Sequence, residues 1–119
     1  MRERPVSVRS GDVELAATLT LPDGDGPLPG CLLLSGSGPL DRDSNKPGQR
    51  LDIARSLAAA LADAGVATLR YDKRGVSGST GDYLSASFDD ETADAIAALD
   101  TLRALDYTTG RVAVIGHSR

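Results

Sequence analysis

The sequence predicts an α/β fold, with an N-terminal β-hairpin followed by a mostly parallel sheet carrying crossover helices on its faces. Three observations predict it. Apolar and polar residues alternate through most of the first 21 positions, short unbroken apolar runs recur after Gly30, and segments of helical periodicity separate those runs.

Composition fits one globular domain. The 119 residues are 40% hydrophobic and 25% charged, and a chain of about this length buries around two-thirds of its unfolded surface. The net charge of -4 argues against nucleic acid as a partner, since phosphate backbones are held by clustered Lys and Arg. The opening MRERPVSV is followed by no apolar signal core, and no apolar run approaches the roughly 20 residues of a membrane span. No membrane partner is expected, and the chain reads as cytoplasmic.

The elements follow in order. Val6 and Val8 alternate with polar neighbours, Ser10, Gly11 and Asp12 make a turn, and Leu15, Ala17, Leu19 and Leu21 share one face of a second strand. Proline, glycine and aspartate crowd residues 22–29, which reads as an exposed connection. The run Cys31 to Leu34 is a strand buried on both faces, as parallel strands are. It contains the only cysteine, so no disulfide forms within the chain, and Cys31 reads as a small core residue. A helix follows with Ile53, Leu57, Ala60, Leu61 and Ala64 along one stripe, Gly65 caps it, and Val66 to Tyr71 is the next strand. Ser87 and Asp90 form a Ser-x-x-Asp capping signal before a helix over roughly 88–105, with Ile96, Leu99 and Leu102 facing the sheet. Arg111 starts a last apolar strand, Val112 to Ile115. Two right-handed crossovers set three parallel strands side by side, with the hairpin extending one edge.

In such a sheet ligands collect outside the carboxyl ends of the strands, where loops begin at Ser35, Asp72 and Gly116. The third loop reads Gly116, His117, Ser118, Arg119, which matches the first four positions of a Gly-x-Ser-x-Gly nucleophile elbow. A tight strand-to-helix turn exposes the serine hydroxyl to substrate and base while leaving backbone amides free for the developing charge. In the first loop, Gly36 and Gly38 flank Ser37, whose backbone N–H is the expected oxyanion donor. A dinucleotide cradle does not fit, because the Gly-x-Gly-x-x-Gly spacing is missing and Pro39 lacks an amide. In the middle loop Asp72 and Arg74 are expected to pair and pin the turn. Asp72 precedes the serine and is set aside as a triad acid. His117 is set aside as the base, since neighbouring side chains on a tight turn diverge. Asp41, Arg42 and Asp43 read as a solvated loop, with a share in shaping the site entrance as the alternative. No metal or cofactor is called for.

The segments LLLSGSGPLDRDSN, VATLRYDKRGVSGST and RVAVIGHSR, in this order and spacing, resemble the N-terminal half of an α/β-hydrolase. The branch is the esterase-like one related to the dienelactone hydrolase and prolyl oligopeptidase families. The resemblance implies Ser118 as nucleophile, with the backbone N–H groups of Ser37 and Arg119 as oxyanion donors. It implies Gly36, Gly38, Asp72, Arg74, Gly116 and His117 as residues that shape the site. The family's Asp-x-Arg-Gly-x-Gly-x-Ser loop matches at Asp72, Arg74, Gly75 and Ser79. Ser77 stands where a glycine is usual, with Gly78 expected to absorb the turn.

On this reading residues 1–119 are the N-terminal portion of a single domain cut at the nucleophile elbow, because the family's acid and histidine follow the serine. The complete protein is expected to hydrolyse carboxylic esters through an acyl-enzyme on a small-molecule ester or acyl substrate, the piece alone being inactive and its last strand an edge that invites association. A serine peptidase or an acyltransferase on the same fold is the alternative, and a non-catalytic truncated fragment is the alternative of another class. The oligomeric state is open.

Overall fold

The computed structural model of the chain describes residues 1–24 and 27–116. Strands β1 (Arg2–Ser10) and β2 (Val13–Leu21) form the hairpin, followed by β3 (Leu28–Leu34), helix α1 (Ile53–Asp63), β4 (Ala67–Tyr71), helix α2 (Phe88–Ala104) and β5 (Thr108–Gly116). The sheet order is β1-β2-β4-β3-β5, antiparallel across β1, β2 and β4 and parallel across β4, β3 and β5. This is the expected α/β arrangement, with the hairpin joined to one edge of the parallel strands. Among the described residues no helix is long and apolar enough to cross a membrane.

Alternation sorts each strand between two faces. Val8, Val13, Leu15, Ala17, Leu19 and Leu21 of the hairpin meet Leu32, Leu69 and the α2 residues Ala98 and Leu102 in the main core. Cys31 and Leu33 point the other way, to Ala58 of α1. Thus Cys31 to Leu34 is covered on both faces by helices, as its unbroken apolar run requires.

Both helix ends behave as expected. The Ser87 hydroxyl accepts from Asp90 N–H at 3.0 Å, and the Asp90 carboxylate accepts from Ser87 N–H at 2.9 Å, closing a capping box. Gly65 lies just past α1 at φ +87°, in the left-handed region.

Two expectations need correction. In α2 the buried stripe is Asp94, Ala98 and Leu102, and Ile96 is 55% exposed. Six residues separate Ile96 from Leu102, which is about 120° around a helix, whereas steps of four keep close to one line. In α1 the buried positions are Ala54, Ala58 and Ala62, with Leu57 and Leu61 at the margin and Ala60 and Ala64 exposed. Alanines face the sheet there, which lets the helix backbone approach closely. The last strand, β5, is the edge that was expected. It is last in the sheet order and pairs with β3 alone, so Val114 is 48% and Ile115 37% exposed.

Candidate active site

The three parallel strands end at Leu34 in β3, Tyr71 in β4 and Gly116 in β5, the points from which the three loops are expected to leave. Leu34 and Gly116 are register partners, so β3 and β5 end side by side. The expectations for His117, Ser118 and Arg119 lie outside the described residues.

The first loop is tied to itself before it is tied to anything else. Asp41 Oδ1 accepts from the N–H groups of Asp43 at 2.9 Å and Asn45 at 3.0 Å. Asn45 Oδ1 accepts from Leu51 and Asp52 N–H at 2.8 and 2.9 Å, carrying the loop into α1. Ser35 Oγ lies 3.0 Å from Ser44 Oγ. These short polar side chains bond nearby backbone and hold a long loop in one shape. At its tip Gly36 is half-buried and Ser37 exposed, and Gly38 sits at φ +101°, where a side chain would be strained.

Arg42 then fastens this loop to the next. Its Nε and Nη2 donate to the two oxygens of Asp72 at 3.1 and 2.8 Å, its backbone N–H donates to the same carboxylate at 2.7 Å, and Nη1 reaches Thr18 at 2.9 Å. Asp72 is 1% exposed and accepts a further bond from Gly78 N–H at 3.0 Å. Burial pushes this carboxyl up, but the Arg42 guanidinium and the N–H groups of Gly78 and Arg42 outweigh it and hold it below the usual carboxylate range. Nearby, the buried Arg70 is shared between Asp43 at 3.1 Å, Glu3 at 3.1 Å and Thr20 at 2.7 Å. Residues 41–43, read as a solvated loop, are therefore a polar clamp over the sheet.

Arg74 does not pair with Asp72. It donates through Nε and Nη2 to Asp94 at 3.0 and 2.7 Å, and Ser10 Oγ donates to the same carboxylate at 2.6 Å. The expected partner was two residues away and the real ones are tens of residues away. A carboxylate that already takes a bidentate guanidinium and two backbone amides in a buried corner has no room for a second arginine.

The remaining loop residues are explained by backbone. Ser79 Oγ donates to Asp72 O at 2.6 Å and accepts from Ala16 N–H at 2.9 Å, which stitches the loop to the hairpin. Gly75, at φ +75°, has no space for a Cβ against the backbone of Asp82 and Tyr83. Ser77 itself takes the left-handed turn at φ +48°, so Gly78 does not absorb it. A Cβ on Gly78 would instead meet Ala16 Cβ at 2.9 Å.

Lys73, passed over in the sequence, donates through Nζ to the carbonyl of Gly36 and lies 3.4 Å from Glu91 Oε1. Asp94 was passed over too. Asp94 had a detectable signal, being an acid one step of four before Ala98 on the stripe that runs to Leu102. A cavity of about 380 Å³ opens beside these loops, walled by Leu34, Tyr71, Lys73, Phe88, Leu99 and Val114. Among the described residues no three His, Cys, Asp or Glu side chains converge as metal ligands would.

A family model described as X-Pro dipeptidyl-peptidase (S15 family) matches residues 10–119. The esterase EstD of Thermotoga maritima is 32% identical over 104 residues, which is 87% of this chain and 24% of EstD. Est1E from Butyrivibrio proteoclasticus, solved with ferulic acid, superimposes at TM-score 0.77 and 24% identity over 95% of this chain and 42% of its own. A dienelactone hydrolase-like promiscuous phosphotriesterase from metagenomic libraries gives TM-score 0.71 at 24% identity, over 97% of this chain and 48% of that one. The chain thus spans about a quarter of the curated relative and less than half of these two structures.

Proposed function

Because the chain belongs to the X-Pro dipeptidyl-peptidase (S15) family and has the α/β-hydrolase fold, we propose that the complete protein is a serine hydrolase of carboxylic esters. Residues 1–119 are, on this reading, the N-terminal portion of its hydrolase domain. The observation that carries it is the register pairing of Leu34 with Gly116. It supports an oxyanion loop and a nucleophile elbow leaving the sheet side by side, as acyl transfer needs.

Ser118 Oγ attacks the acyl carbon, its proton passing to a histidine base, and the carbonyl oxygen becomes an oxyanion held by the N–H groups of Ser37 and Arg119. The carbon–oxygen bond to the alcohol breaks, and the histidine returns the proton to the leaving alkoxide. Water then attacks the acyl-enzyme by the same route, releasing the acid and restoring Ser118. The chain's one histidine is His117, next to Ser118. Acid and base are assigned to the rest of the complete protein, so residues 1–119 alone are expected to turn over no ester.

EstD is named an esterase and Est1E was solved with ferulic acid, which supports an ester; the family model's description favours a peptidase as the second reading. Full-length protein treated with a fluorophosphonate tests both. Labelling at Ser118, lost in Ser118→Ala, is expected, and a folded full-length protein that takes no label contradicts both. Rates on matched ester and X-Pro amide substrates then separate them.

A further inference from the structure

An amide stabilises an oxyanion only when its N–H points to where the charge forms, and glycines on both sides of Ser37 leave that direction unfixed by local sequence. Something else must fix it. In a trans peptide the carbonyl of one residue and the N–H of the next point in opposite directions within one rigid plane, and no described peptide bond is cis. Holding the Gly36 carbonyl therefore aims the Ser37 N–H.

Lys73 Nζ donates to that carbonyl. The Lys73 side chain is 12% exposed, its backbone N–H donates to Leu40 O in the same loop at 3.4 Å, and Glu91 of α2 steadies the ammonium from another side at 3.4 Å. Asp72, immediately before it, is clamped by Arg42. A surface Lys–Glu pair needs no carbonyl in its reach and contributes little; here the ammonium is largely covered and ends on a backbone oxygen of the oxyanion loop. A cation on the carbonyl also polarises the peptide and strengthens its N–H as a donor.

We propose that Lys73 is a positioning residue for ester hydrolysis: through the Gly36 carbonyl it turns the Gly36–Ser37 peptide so that the Ser37 N–H faces the acyl oxygen. The proposal rests on the reading of Ser37 as an oxyanion donor to chemistry at Ser118.

The test is Lys73→Met in the full-length protein, with Lys73→Arg and Lys73→Gln beside it. Each is assayed on p-nitrophenyl esters and against a trifluoromethyl ketone, which forms an oxyanion-bearing adduct with a serine. Lys73→Met is expected to lower kcat by about 10- to 100-fold with KM within about twofold, and to weaken the ketone by a similar factor. Lys73→Arg, which keeps a cationic donor, is expected to recover most of the loss. A raised KM at unchanged kcat would make Lys73 a substrate-binding residue and overturn the proposal. So would kcat and ketone affinity both within about threefold of the parent. Thermal melting shows which variants fold, and if Lys73→Met does not, Lys73→Gln decides by the same two readouts. A parent not acylated at Ser118 removes the hydrolase reading and this one together, whereas an acylated parent with unaffected Lys73 variants removes only this one.

Discussion

The two faces of the sheet use the same strands and hold together by different physics. On the α2 face Val8, Leu15, Leu19, Leu32 and Leu69 are at most 1% exposed and pack against Ala98 and Leu102. On the opposite face β2 and β4 present Thr18, Thr20 and Arg70, and the loop carrying Arg42 and Asp43 closes over them through ion pairs and hydrogen bonds. Apolar burial is non-directional and tolerates small shifts, whereas a bidentate guanidinium fixes position to within a bond length. Apolar packing dominates the α2 face, whereas the α1 face adds to its Cys31, Leu33 and Ala58 cluster a polar tie that aims the loops.

That division can be broken most severely at Asp72. Asp72→Ala leaves the Arg42 guanidinium and the N–H groups of Arg42 and Gly78 without their acceptor, and it is expected to cost about 3–5 kcal/mol by urea unfolding of the full-length protein. Ester turnover should fall with it, because the two loops lose their tie. The same carboxylate sets a pH dependence. Its folded pKa lies below the unfolded value, so its contribution is complete above the unfolded range near pH 4 and is lost as pH falls through the folded pKa. Urea midpoints measured against pH should show a steeper acid limb for the parent than for Asp72→Asn.

Leu69→Ala sharpens the comparison from the other face. It should cost about 2–5 kcal/mol yet leave kcat unchanged at a temperature where the variant is folded. A kcat loss as large as that of Asp72→Ala would erase the distinction between the faces. Ser87→Ala removes the cap of α2, which is expected to lower stability by about 1 kcal/mol, read as a shifted urea midpoint. The smallest effect is a gain. Ser77→Gly relieves a left-handed serine and should raise stability by about 0.5 kcal/mol, the relief being partly offset by the greater freedom of glycine in the unfolded chain.

What the sequence made legible divides along the same line. Alternation at Leu15, Ala17, Leu19 and Leu21, the cap at Ser87 and Asp90 and the breaker at Gly65 are local signals, and each marked its element. The loops leaving β3 and β4 were legible because apolar runs meet glycine and polar residues there. Partners were not. Arg42 and Asp72 are 30 residues apart, and Arg74 and Asp94 are 20 apart, so nothing in either neighbourhood announces the pairing. Ile96 misled because a three-residue step also looks helical, while the buried acid Asp94 occupied the face that an apolar count reserves for leucine. The aim of the Ser37 amide was equally hidden, since it depends on a lysine 37 residues along the chain from the carbonyl it holds.

On the proposed reading the loops leaving β3, β4 and β5 form one acyl-transfer site with Ser118 as its nucleophile. The most direct test is to quench the full-length protein during turnover of an activated ester and locate the acyl group by peptide mass mapping. An acyl group is expected on the peptide carrying Ser118, absent from Ser118→Ala, which no longer turns over. Turnover without any adduct on Ser118, or a Ser118→Ala variant as fast as the parent, would contradict it.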